Sequence, residues 1–133
     1  MDEQAQSRLV KLSRSDFMID DPRDDVRGRR VVTNDGAKLG DVDDLLVDEV
    51  EKKIRFLEVE SGGFLGIGEH KSLIPVDAVT SIDEEHVYID RSRDQVAAAP
   101  AYHPHVVVTD PYLNDMYEHY GYAAPWTPGA GSQ

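Results

Sequence analysis

The chain has 133 residues, 40% hydrophobic and 30% charged, enough for one folded domain with its own core and too apolar for a disordered chain. It contains no cysteine, which excludes disulfides, thiolate metal sites, iron–sulfur clusters and cysteine nucleophiles. With 26 acidic against 14 basic side chains the formal net charge is -12, distributed as -3, -6 and -3 over residues 1–25, 26–92 and 93–133, so no basic stripe exists for nucleic acid, and anionic lipid is repelled too.

Residues 1–8 read as a disordered N-terminus, polar and without the basic and apolar regions of a secretory signal. No stretch approaches the roughly 20 apolar residues that span a bilayer, which predicts a soluble, cytoplasmic chain with no direct membrane insertion. Leu9, Val10 and Leu12 are apolar anchors, and Phe17, Met18 and Ile19 interrupt an acidic run that ends at Asp25.

From Val26 the sequence reads as short strands separated by turn residues. The first is Val26 to Thr33, closed by Asn34-Asp35-Gly36, where the turn needs the positive φ that Gly36 supplies. The second is Lys38 to Asp48. Its alternation changes phase near Asp43-Asp44, which predicts a bulge, and Gly40 is taken as a structural turn glycine. The third is Lys53 to Ser61, with Ile54 and Phe56 on one face and Arg55, Leu57 and Val59 on the other. Both faces are partly apolar, which calls for a covering element. Gly62, Gly63, Gly66 and Gly68 then form a tight connection around Phe64, Leu65 and Ile67. Lys71 to Val76 resumes as a strand with Pro75 near its end, and Val79 to Ile82 pairs with His86 to Asp90 around Asp83-Glu84-Glu85.

Past Arg93 the composition changes. Val96 to Pro104 reads as a wrapping segment. Asp110 suits an N-cap, Pro111 a first helical position and Gly121 a C-terminal stop. Within that helix Leu113, Met116, Tyr117 and Tyr120 fall at i, i+3, i+4 and i+7, one apolar stripe. The predicted organisation is a barrel over residues 9–92, a wrapping segment with a short amphipathic helix over 93–122, and a flexible tail over 123–133.

The barrel segment resembles a PRC-barrel domain. The resemblance is carried by Val26-Arg27-Gly28, Asp35-Gly36, the run Leu39 to Asp48, Arg55 to Val59, Gly62 to Gly68, Leu73-Ile74-Pro75-Val76 and Val87-Tyr88-Ile89, with Leu12 to Phe17 as a lead-in. It implies a mainly β fold: a small, partly open antiparallel β-barrel of about six strands, here with a short C-terminal helix. It also implies docking onto another protein rather than catalysis. Members include the cytoplasmic domain of the photosynthetic reaction centre H subunit, a domain of a ribosome maturation factor, and stand-alone proteins linked to stress. The chain lacks the transmembrane helix of the first and the N-terminal domain of the second.

Other constellations give less. Gly63 to Gly68 has a phosphate-loop spacing, but Glu69 stands where lysine is required. Asp41, Asp43, Asp44, Asp48, Glu49 and Glu51 offer oxygen ligands for calcium, yet Leu46 occupies the position that needs glycine, so they read as a solvated face. His103, His105 and His119 lack a fixed metal-ligand spacing, and no serine nucleophile has its structural context. The expectation is therefore no catalytic residue, no metal and no cofactor.

Tyr112, Tyr117, Tyr120, Tyr122 and Trp126 crowd the C-terminal part. They either pack on the chain's own barrel, over Ile54 and Phe56, or anchor a partner, where aromatic side chains are favoured. On the second reading Phe56, Tyr112, Met116, Tyr117 and Tyr120 are the partner-binding residues of a non-enzymatic adaptor that forms a homodimer and docks a protein partner. A ribosome-associated assembly factor and a small-molecule or metal-ion-binding barrel are the alternatives.

Overall fold

The structure, a computed structural model, describes residues 9–61, 70–104 and 108–126. The predicted disordered start, Gly62, Gly63, Gly66 and Gly68, His105 and the last seven residues lie outside the described residues. Seven strands form one sheet: β1 (Leu9–Lys11), β2 (Arg30–Val32), β3 (Lys38–Asp48), β4 (Lys53–Ser61), β5 (His70–Pro75), β6 (Val79–Ile82) and β7 (His86–Ile89). Their order is β5-β4-β3-β2-β7-β6, with β1 added beside β3, and the edge strands β5 and β6 do not pair. The result is a partly open barrel.

Two expectations on the sheet change. Leu9–Lys11 is a seventh strand, paired with the last residues of β3 where β2 no longer runs. The barrel is also not wholly antiparallel. β2 and β7 are parallel, because four antiparallel reversals, at β2–β3, β3–β4, β4–β5 and β6–β7, bring the chain back in its original direction. The first strand is shorter than Val26 to Thr33. Gly28, at φ 90°, breaks the extended run before Arg30.

β3 is the hub, flanked by β4 along most of its length and by β2 and β1 on its other side. Two bulges set which side chains meet. The register steps between Val42 and Asp44, so Asp43 is the extra residue and the predicted phase change is a bulge. A second step lies between Leu46 and Val47, with Arg55 as the extra residue on β4. This second bulge turns Ile54 away from Phe56, so the two do not share a face as the plain alternation predicts. Leu45, Leu57 and Ile74 stand side by side in one row, and Asp44, Glu58 and Leu73 in the next. Both rows are buried, so β4 is covered on both faces.

The second cover is the C-terminal segment. Helix α1 (Arg93–Ala97) begins with a capping box in which Ser92 Oγ accepts from the Gln95 backbone N–H and Gln95 reaches back to Ser92. Helix α2 (Asp110–His119) is capped by Thr109, not Asp110, with Pro111 in its first turn and Gly121 at φ 87° just past its end. Arg91 donates to the Tyr120 carbonyl at 2.5 Å and lies 5.1 Å over the Tyr122 ring, placing a cation at the negative end of α2.

Gly40 is not a turn glycine. It sits inside β3, where a Cβ would overlap the carbonyl oxygen of Glu60 and stand 2.9 Å from Ser61 Cβ. The obstacle is backbone of the adjacent strand, which cannot rotate away. Gly40→Ala is expected to lower stability by about 1–3 kcal/mol. Denaturant unfolding checks this, and an unchanged midpoint would contradict the close approach.

Candidate docking cleft

The predicted partner-binding residues come together, but inside the chain. Phe56, Met116 and Tyr117 are fully buried and Tyr120 is 2% exposed. The Phe56 and Tyr117 rings lie 4.8 Å apart, and Trp126 meets the other side of Tyr117 edge-on at 5.7 Å. Tyr120 donates to the Leu73 carbonyl at 3.2 Å, and the half-buried Tyr112 donates to that of Pro100 at 3.4 Å. The helix stripe is thus core of its own barrel, packed over Phe56 and not over Ile54. Phe56, Met116, Tyr117 and Tyr120 present no surface to a partner in this fold, and only Tyr112 is partly exposed.

The acidic cluster is not uniformly a solvated face. Asp41, Asp43, Glu49 and Glu51 are exposed, whereas Asp44 and Asp48 are buried. Asp48 accepts from the backbone N–H groups of Val50 and Glu51 and closes the β3–β4 turn. Asp44 accepts from Ser13 Oγ at 2.5 Å and from the Leu45 N–H. Glu58, which sequence reasoning missed, is fully buried beside Asp44. Lys11 and Lys71 each stand 3.5 Å from it, and Tyr102 donates to it at 3.3 Å. Lys71 also holds Asp43 at 2.8 Å, and that carboxylate raises the lysine's pKa. Burial demands such partners, because an unpaired buried charge costs several kcal/mol, about 3–5. Each neighbour has another evident duty in sequence, so no local pattern marks the cluster.

Among the described residues no group of three or more His, Asp and Glu is placed to hold a metal ion. His103 and His70 are exposed, and His119 Nε2 lies 2.7 Å from the Gln95 carbonyl.

The open side of the barrel is different. A cleft of about 330 Å³ is lined by residues of β3, β4, β6 and β7, of the turn that joins β5 to β6 and of the loop before β2. Pro75 ends β5 without a donor, and a 3-10 turn, Val76–Ala78, carries the chain across to β6. The floor is Leu45 and Leu57 from the inner sheet row, with Val87 of β7, and Val26 closes one side. Ile54, turned inward by the Arg55 bulge, forms the wall with Val76 and Val79. Ile82 stands at the rim, 48% exposed, and Asp24 is the one charged side chain in the lining. A second hollow of about 320 Å³ is lined by Leu12, Phe17, the exposed Met18, Ile19, Pro22, Asp25 and Arg27.

Charge at the rim is fixed. The Asp83 carboxylate accepts from the Glu85 and His86 backbone N–H groups at 2.8 and 2.7 Å and sits 3.0 Å from the His86 ring. The bond from Glu85 above all holds Asp83 below the usual carboxylate range. Arg29 donates to the carbonyls of Asp83 and Arg23, at 2.9 and 3.3 Å, and so ties the β6–β7 turn to the loop that carries Asp24.

A seven-stranded, partly open barrel with a C-terminal helix on its outer face and an apolar cleft at its open side defines the class of protein. The model of the PRC-barrel domain family matches residues 15–96, and the chain belongs to that family. In general terms this makes it a protein-interaction module. No curated protein matches the chain.

Two outcomes follow from the buried aromatic face. The Tyr117 hydroxyl is buried without a hydrogen-bond partner among the described residues. Tyr117→Phe is therefore expected to keep or raise stability, while Tyr117→Ala costs about 3–5 kcal/mol. Thermal unfolding of both variants checks this, and a harmless alanine would contradict the packing.

Burial also pushes the Tyr102, Tyr117 and Tyr120 hydroxyls above their ordinary value and Tyr112 up to about 12. The folded chain holds these protons more tightly than the unfolded chain. The stabilisation is complete below about pH 10 and is lost as pH rises above it. Tyrosinate absorbance is expected to lag behind free tyrosine and to rise together with loss of the circular dichroism of the fold. Ionisation of all six tyrosines near pH 10 in the folded chain would contradict it.

Proposed function

We propose that this chain is a non-enzymatic adaptor that docks a partner protein in the cytoplasm through the cleft at the open side of its barrel. The single observation that supports this reading is the cleft itself. Here core residues of the inner sheet row, Leu45 and Leu57, line a concave apolar patch, with Ile82 half in solvent. Concave apolar patches with polar rims are where proteins bury partner side chains. The aromatic stripe, the other apolar feature of the sequence, is occupied by the chain's own fold. Self-association through that stripe is accordingly not part of the proposal.

Capture of the tagged chain's partners from its own host tests the reading, comparing wild type with Ile82→Ser and with Glu118→Ala. Glu118 is exposed on α2, away from the cleft lining. The wild type and Glu118→Ala are expected to hold one stoichiometric protein, and Ile82→Ser to lose it by about tenfold or more. Equal recovery with Ile82→Ser would overturn the cleft as the docking surface. Recovery of no stoichiometric protein would overturn the adaptor reading.

A further inference from the structure

The cleft's chemistry narrows its occupant, on the reading that it is the docking surface. We propose that it takes a bulky aliphatic side chain from a cationic segment of the partner protein.

The lining is apolar. Apart from Asp24 it consists of valine, leucine and isoleucine side chains, with no amide, hydroxyl or aromatic group to receive a polar side chain. An inserted polar group would lose its water without replacement, which costs about 1–3 kcal/mol. The volume, about 330 Å³, is at the small end for ligand pockets. It suits one or two side chains and not a whole helix.

The rim is acidic. Asp24 lies in the lining, and Asp83, Glu84 and Glu85 follow Ile82 directly. Among the described residues Asp24, Glu84 and Glu85 form no ion pair. The basic residues next in sequence to the lining are largely committed. Arg23 holds Asp21, Arg27 holds Asp25, Arg55 holds Asp48 and His86 faces Asp83; among the described residues Lys53, and Arg29 on the Asp83 and Arg23 carbonyls, are the cations here with no carboxylate within ion-pair distance. Four carboxylates, Asp24, Asp83, Glu84 and Glu85, thus outnumber Arg29 and Lys53, and the rim offers an excess of negative charge beside an apolar hole, on a chain of net charge -12. A cationic segment gains from that field, and a second copy of this acidic chain is repelled by it.

Selection of random dodecapeptides displayed against the full chain at physiological ionic strength tests the proposal. The enriched peptides are expected to carry several lysines or arginines around a leucine, isoleucine or methionine. Binding is expected to weaken by about tenfold with Ile82→Ser and by a smaller factor with Asp24→Asn. Ile82 and Asp24 are both at the surface, so both variants fold, as circular dichroism will show. Replacing the aliphatic residue of the peptide by serine should cost as much as Ile82→Ser. Enrichment of neutral or acidic peptides, affinity indifferent to the peptide's aliphatic residue, no enrichment, or binding unchanged by either variant would overturn it. So would concentration-dependent dimerisation that Ile82→Ser abolishes, since that makes a second copy the occupant. A stoichiometric host protein whose capture depends on Ile82 but whose docked segment is acidic would defeat this proposal and leave the adaptor reading standing.

Discussion

The structure depends on the fact that the β3–β4 pair is buried on both faces. A sheet face that carries Leu46, Phe56 and Leu73 cannot be left in water. Each large apolar side chain buried there contributes about 1.5–3 kcal/mol. The barrel's own curvature covers only the inner row, Leu45, Leu57 and Ile74. The chain meets the remaining demand with α2, whose Tyr117 sits on Phe56. The same face holds Asp44 and Glu58, and their charges draw in the segments that flank the barrel. Ser13 and Lys11 come from the N-terminal side, Lys71 from β5 and Tyr102 from the C-terminal wrap. Apolar cover and ionic ties thus fix both flanks onto one sheet.

That arrangement decides which surface is free. With the outer face closed by α2, the inner face still reaches solvent at the cleft beside β6 and the turn that precedes it. β5 and β6 are edge strands that do not pair, joined by the 3-10 turn that follows Pro75, whose Val76 lines the cleft. The bulge at Arg55 supplies its wall by turning Ile54 inward, and the turn at Asp83 supplies its charge. The cleft and the closed aromatic face are two consequences of one topology.

Local signals in the sequence reached a good part of this. The bounds of β3 and β4, the bulge at Asp43, the Asp35-Gly36 turn and the stop at Gly121 are written in alternation, β-branched residues and glycine placement. The apolar stripe of α2 also reads directly, and so does the need for a cover over β4. What did not read are long-range features. β1 is three residues whose strand character comes from the free edge of β3. The parallel pairing of β2 and β7 depends on the path of the intervening strands. The second bulge leaves no mark, because Arg55 looks like an ordinary outward residue, and it reassigns Ile54 from the helix to the cleft. Glu58 looks solvated until Lys11, Lys71 and Tyr102 converge on it from three distant places. The aromatic residues illustrate the point most plainly. Their composition suits an interface and a core equally, and only the fold around Phe56 distinguishes the two.

The claim that the chain covers its own sheet is tested most directly by nuclear Overhauser contacts in a sample that mixes isotope-labelled and unlabelled chains. The account predicts contacts between the Phe56 and Tyr117 rings within each labelled chain, and none between labelled and unlabelled chains. Contacts that cross between chains would show that the helix covers a neighbour's barrel, and absence of the contact altogether would show that the outer face is not closed by α2.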